Sequence, residues 1–337
     1  MSSDYGFINA RVKGLKAGLL LQEFFSEVLD SSDFGAFMAL MGQSSYSQDL
    51  EEAKTRNSGI RTVDSAVARN FYRTTQNLLH LADGIPGQLV ALMLLRYDLA
   101  NIKAIARAKH AGRGADATQE ALFPAGKLKP AVLDVLAEAS DMAAVGQALL
   151  STGTPLRSSF VRAAAQYQSD GDLYALEVAL DRSYYRSVFN LLKRVSAPSG
   201  FVRHLRREVD ATNLRTALKL RGQVVDDLMF VEGGREITRS LFDSVVNDES
   251  SGGLAVLAGT SFGVVDENDS LSEAESKIRD IISQSARRIA ANPRHIGVIT
   301  NYLQAKEEEI SRVRLLARGK YYGVDRRDLE KELGVDA

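Results

Sequence analysis

Apolar residues recur at three-and-four spacing along nearly the whole chain, and no alternation of apolar and polar residues is long enough for a strand. The pattern predicts an almost entirely α-helical protein. In "VDSAVARNFYRTTQNLLHLA" the spacing sets Val67, Phe71, Leu78 and Leu81 near one face. That run ends at the Gly/Pro turn "DGIPGQ". A second helix is predicted from about Gln88 to His110, stopped by Gly112. "FGVV", which follows Ser261, is too short to count as a strand.

The pattern repeats. Residues 69–79, "RNFYRTTQNLL", and 182–192, "RSYYRSVFNLL", share Arg, Tyr, Arg, Asn, Leu and Leu at an offset of 113. Each leads through a turn, "GIPG" or "APSG", into a helix with a second match. There Asp98, Asn101 and Lys103 correspond to Asp210, Asn213 and Arg215. Two linked matches in the same order indicate an internal duplication. Fainter echoes join "ALFPAG" to "LMFVEG", and "SDFGAFMALMGQSS" at Ser32 to "SDMAAVGQALLSTG" at Ser140. "EEEISRVRLLARGKYYG" puts Glu309 near the Asp position, and "DYGFINARVKGLKAG" puts Asn9 near the Asn position.

The unit is a long helical hairpin followed by several short helices, present about three times. The N-terminal segment lacks the first helix of the unit, and the C-terminal segment has a hairpin with a short tail. We therefore expect residues 1–60 and 268–337 to pack as one composite unit beside units at 61–168 and 169–267, bringing the chain round on itself. A linear helical array with worn-down end repeats is the alternative. Arg73 and Asp98 flank "GIPG" at similar distances, as Arg186 and Asp210 flank "APSG". In antiparallel hairpins at a rise of about 1.5 Å per residue, those pairs are expected to form salt bridges.

Composition narrows the function. With 337 residues, 45% hydrophobic and 25% charged, the chain is an ordinary globular protein with ample core. Its 42 basic and 43 acidic residues give a net charge of −1, hence no overall pull toward nucleic acid or anionic lipid. The absence of cysteine excludes disulfides, thiolate metal sites and cysteine catalysis. No apolar run approaches the roughly 18 residues of a membrane span. The opening "MSSDYGFINARVKG" lacks the basic-then-apolar order of a signal peptide.

Several motifs suggest chemistry and fall short of it. "GTSFG", Gly259 to Gly263, fits the pattern of a nucleophilic serine, with Asp266 or Asp269 and then His295 in triad order. The repeat predicts a short helical piece before Ser261, where the nucleophile turn needs a strand. "DENDS" at Asp266 lacks the glycine and final glutamate of a calcium loop. It reads as a loop leading to Ser272 as helix cap, with Glu275 completing a capping box. "ARGKYYG" lacks the earlier glycine of a phosphate loop. His80, His110, His204 and His295 show no ligand spacing and read as surface or capping residues. No catalytic, cofactor-binding or metal-binding set emerges, so neither a cofactor nor a metal is expected.

"YGFINARVKG" with Tyr5, Asn9, Arg11 and Gly14, "YDLANIKAIARAK", "REVDATNLRTALKLR" and "YLQAKEEEISRVRLLARGK" resemble, in this order and spacing, the C subunit of the A/V-type rotary ATPases. The eukaryotic counterpart is the d subunit of the vacuolar proton pump. The resemblance covers essentially the whole chain and contains no catalytic signature. It implies a funnel of pseudo-threefold symmetry on the cytoplasmic face of the proteolipid ring, in single copy, peripheral to the membrane. The socket would receive the tip of the central shaft and transmit torque, with the nucleotide sites on other subunits. The basic stretches Arg203, Arg206, Arg207 and Arg312, Arg314, Arg318 are candidate docking positions. A helical-repeat scaffold with a protein partner and no motor is the alternative.

Overall fold

The structure, a computed structural model, describes residues 5–195, 197–224, 229–247, 253–292 and 294–333. Helices α1 (Gly6–Ala17), α2 (Gln22–Asp30), α3 (Phe34–Gly42) and α4 (Ser47–Lys54) are short. The long α5 (Ile60–Leu81) and α6 (Gly84–His110) follow. Then come α7 (Ala115–Glu120), α8 (Pro130–Glu138), α9 (Met142–Leu150) and α10 (Arg157–Asp170). A second long pair, α11 (Leu173–Leu192) and α12 (Ser199–Lys219), precedes α13 (Arg239–Asn247) and a 3-10 helix at Gly253–Gly259. The order closes with α14 (Leu271–Ala290), α15 (Gly297–Tyr322) and α16 (Arg326–Leu333). No strand occurs among the described residues, as the periodicity predicts.

Local chemistry explains most helix ends. α6 begins four residues before Gln88, because Pro86 falls in its first turn, where a missing N–H leaves no helical bond unmade. It stops where predicted. Gly112 adopts φ +62°, and Arg113 N–H donates to Ala108 O at 2.8 Å. The echo between Ser32 and Ser140 is a shared cap: Asp33 accepts from Ala36 N–H at 2.9 Å and Asp141 from Ala144 N–H at 2.8 Å. These bonds hold both carboxyls below the ordinary range. The cap of α14 is Ser270 with Glu273, two residues before the predicted Ser272 and Glu275. Glu275 is instead engaged by Arg215 and Lys219 of α12.

The chain folds as two compact units, Met1–Val90 with Val298–Ala337, and Ala91–Gly297. In the first, the N- and C-terminal segments share a core with Phe25, Phe37, Tyr46, Phe71, Leu303 and Val313 fully withdrawn from water. Each such side chain contributes about 1.5–3 kcal/mol. Polar ties cross from α15 to the N-terminal helices: Lys320 Nζ donates to Leu29 O at 3.0 Å and Ser31 O at 2.6 Å. Arg312 lies 3.9 Å over the Phe25 ring.

In the second unit, Phe230, Phe242, Leu257, Phe262 and Ile278 pack with Val178 and Leu214 as one cluster. Helix α12 lies against both α13 and α14. The Tyr185 hydroxyl meets Thr212 Oγ1 at 3.0 Å and Glu208 O at 3.4 Å, which holds α11 and α12 antiparallel. The C-terminal half of α6 joins α11 through Lys103 to Asp181 at 2.8 Å and Arg107 to Glu177 at 2.5 Å.

Candidate functional site

The repeated Asp and Asn residues form loop clasps. Three residues apart, they lie on one face of their helix. On α6, Asn101 Nδ2 donates to Phe123 O at 3.0 Å, and Phe123 N–H donates back to Asn101 Oδ1 at 2.7 Å. Asp98 accepts the amides of Lys127 and Leu128 at 3.0 and 2.9 Å. On α12, Asn213 exchanges the same two bonds with Val231, each at 2.8 Å. Asp210 accepts the amides of Arg235, Glu236 and Ile237 between 2.9 and 3.1 Å. Glycine is required beside each carboxylate: a Cβ at Gly126 would lie 2.0 Å from Asp98 Oδ1, and one at Gly234 2.1 Å from Asp210 Oδ1. The likeness of "ALFPAG" to "LMFVEG" therefore falls on two clasped loops but one residue out of register. It aligns Phe123 with Phe230 and Gly126 with Gly233, whereas the clasps match Phe123 to Val231 and Gly126 to Gly234.

These partners correct the expected salt bridges. Arg73 pairs with Asp49 at 2.8 Å and with Gln48, while Asp98 serves its loop. Arg186 is exposed, and Asp210 serves its loop too. A buried carboxylate gains more from several backbone donors than from one long, mobile cation across a turn.

Burial raises the Asp98 carboxyl to about 6 from the ordinary 3.8, against the opposing pull of the Leu128 and Lys127 amides. Asp210 is raised for the same reason. Between roughly pH 4 and 6 the folded chain thus holds a proton on Asp98 that the unfolded chain has released. The sign follows: this contribution to stability is complete below the unfolded value and is lost as pH rises through the folded one. Its size is on the order of 3 kcal/mol for this single buried group. Asp98→Asn removes the titration. Denaturation of both proteins at about pH 4 and about pH 7 should show the wild type losing stability relative to the variant at the higher pH. A gap that does not change with pH would sink the assignment.

In the first unit Glu309, on α15, is the corresponding acid. It accepts from Leu20 N–H, from the Tyr46 hydroxyl at 2.6 Å and from Lys306 Nζ at 2.6 Å. Lys306 also stands 4.3 Å from the centre of the Tyr46 ring. All three side chains are buried, and burial lowers the Lys306 ammonium while raising the Tyr46 hydroxyl well above its ordinary value. The position of Glu309 shows in the repeat. The roles of Tyr46 and Lys306 do not, because nothing local marks either residue.

The hydrolase motif lacks its geometry. A 3-10 helix precedes Ser261, whose hydroxyl oxygen is buried and whose N–H donates to Glu236 at 2.6 Å. Asp266 and Asp269, the acids in triad order, both hold Lys277, with the closer contact at 2.6 Å. Glu267, the third acid of "DENDS", holds Arg221 instead, at 2.6 Å. Contrary to a surface reading, His204 is buried. It meets Ser285 Oγ at 3.1 Å, and burial lowers its pKa.

The six arginines divide into two kinds. Arg207 donates to Glu236 at 3.1 Å, and Arg314 and Arg318 both hold Asp64 at 3.0 Å. Arg312 covers Phe25 and donates to Gln22 at 2.7 Å. Arg203 and Arg206 are exposed and have no carboxylate partner among the described residues.

Comparison with known proteins gives a match along the full length. A family model described as ATP synthase (C/AC39) subunit matches residues 8–332. The C subunit of the V-type ATP synthase of Thermus thermophilus is 33% identical over 334 residues, covering 99% of each chain. That of Deinococcus radiodurans is 31% identical over 334 residues, covering 99% of this chain and 92% of the relative. The C subunit of the A-type ATP synthase of Haloquadratum walsbyi is 24% identical over 349 residues, covering 98% of each.

Proposed function

We propose that this chain, which belongs to the ATP synthase (C/AC39) subunit family, is the non-catalytic central-rotor adaptor of a V-type ATPase or ATP synthase. It links the central shaft to the membrane proteolipid ring and carries torque between proton or sodium transport and ATP synthesis or hydrolysis. It does so in single copy on the cytoplasmic face of the membrane, which it reaches through the ring alone. The observation that carries this reading is the end-to-end match to C subunits of V-type ATP synthases. Two physical features support it. No described helix is long and apolar enough to cross a membrane. Tightly packed helices joined by buried clasps resist deformation, as a torque-bearing part must.

The repeat supports a body of three hairpin units, with residues 1–60 and 268–337 as the composite one. Arg203 and Arg206 are the docking positions this reading favours, because no carboxylate among the described residues neutralises them. A tagged pull-down from detergent-solubilised membranes of the source organism tests the proposal. Nucleotide-binding subunits, shaft subunits and a small proteolipid should come down together. Arg203→Glu with Arg206→Glu should weaken that recovery while the protein stays folded. Recovery with cytosolic partners only would favour the helical scaffold instead.

A further inference from the structure

The balanced total charge conceals a local imbalance. Residues 182–207, the end of α11 and the first half of α12, hold seven Lys or Arg and no Asp or Glu. Residues 281–297, the end of α14 and the turn into α15, hold Arg287, Arg288 and Arg294, again with no acid. A cavity of about 530 Å³ opens beside both stretches. The first turn of α12 lines it, as do Arg203 and Arg207 one and two turns further on, Arg288 of α14 and His295 of the turn that follows. No carboxylate is among its described lining residues.

Elsewhere in this unit Lys103, Arg107, Arg215 and Arg221 each hold a carboxylate. At the cavity two of the three arginines differ, while Arg207 keeps Glu236. Arg203 and Arg288 are exposed, without a carboxylate partner among the described residues. Arg207 reaches Glu236 and Ser285 with its two terminal nitrogens, yet its Nε is buried and has no acceptor among the described residues. A concave site lined by one sign of charge concentrates counter-ions. Guanidinium groups match oxyanions through paired N–H donors. Three of them around one cavity suit a phosphate, whose three or more oxygens point in different directions and carry up to two charges. A carboxylate has only two oxygens in one plane. First-turn helix amides add donors that favour an anion.

We propose that this cavity binds a phosphate group, held by Arg203, Arg207 and Arg288 at the start of α12. Its volume exceeds that of a bare phosphate, so the group can arrive on a soluble compound or as the headgroup of an anionic phospholipid. The inference stands on charge and geometry in one unit and does not rest on the rotor reading.

The test uses the purified full chain in buffer of physiological ionic strength. Inorganic pyrophosphate is titrated calorimetrically, and co-sedimentation is measured with phosphatidylcholine vesicles with and without phosphatidylglycerol. Both assays are repeated for Arg203→Glu/Arg288→Glu. A charge-matched control, Arg113→Glu/Arg327→Glu, changes exposed residues away from the cavity. Both replaced cavity residues are exposed, and far-UV circular dichroism verifies that the variants are folded. Saturable pyrophosphate binding, weakened at least about tenfold in the cavity variant and unchanged in the control, supports the site with a soluble ligand. Binding only to phosphatidylglycerol vesicles, lost in the cavity variant alone, supports it with a lipid ligand. No binding in either assay overturns the proposal, as does equal loss in both variants.

Discussion

Asp210→Ala is expected to lower the stability of the fold by about 3–5 kcal/mol, since it strands three backbone donors at once. The amides of Arg235, Glu236 and Ile237 all point at this carboxylate, and Ile237 is 1% exposed. The clasped loop begins with Met229, Phe230 and Val231, which are buried, the first two in the core cluster of the second unit. Losing the clasp therefore loosens apolar packing as well as hydrogen bonding. Asp210→Asn keeps one acceptor oxygen and should cost less. Gly234→Ala should resemble Asp210→Ala, because its added methyl collides with the same carboxylate. Urea denaturation measures the loss, and hydrogen exchange at residues 235–237 locates it. A loss under about 1 kcal/mol for Asp210→Ala would show that water satisfies the loop as well as the carboxylate does.

Glu309→Ala should cost a similar amount, about 3–5 kcal/mol, by a different route. It leaves the Lys306 ammonium buried at 4% exposure without its counter-charge, and leaves the Tyr46 hydroxyl and the Leu20 amide without their acceptor. Because Glu309 belongs to α15 while Leu20 and Tyr46 belong to the N-terminal segment, the variant should loosen the tie between the chain's ends first. Lys306→Met in the Glu309→Ala background should recover a large part of the stability, since an apolar side chain of similar length needs no partner. Chemical denaturation of the single and double variants makes this a direct comparison. A double variant no more stable than Glu309→Ala would show that the lost energy lies in the Tyr46 and Leu20 bonds and not in the stranded charge.

Much of the site is legible in the sequence, though its wiring is not. Asp98, Asn101, Asp210 and Asn213 stand out as a repeated pair, and the loops they clasp stand out as a second, weaker match that pairs Gly126 with Gly233 where the clasp requires Gly234. Their partners do not. Counting residues on either side of a turn pairs Arg73 with Asp98, whereas Asp49 claims the arginine and the loop amides claim the aspartate. Residue counts carry no information about which of several polar groups offers more donors. The α14 cap is ambiguous for a related reason. Ser270 and Ser272 each have a glutamate three residues on, so the local pattern fits twice. Arg215 and Lys219, about 60 residues away in sequence, engage Glu275 and leave Glu273 for the cap.

Taken alone, the sequence determined the all-helical class, the long helices, the sites of most turns and the family resemblance. These follow from periodicity, from glycine and proline, and from order along the chain, all of which act between near neighbours or repeat detectably. Only the tertiary structure decided which carboxylates became clasps, which arginines remained without a counter-charge, and that Glu309 joins a C-terminal helix to the N-terminal segment. Those outcomes depend on burial. A charged group taken out of water binds the partner that best replaces its hydration, and that partner is fixed by packing between segments far apart in the chain.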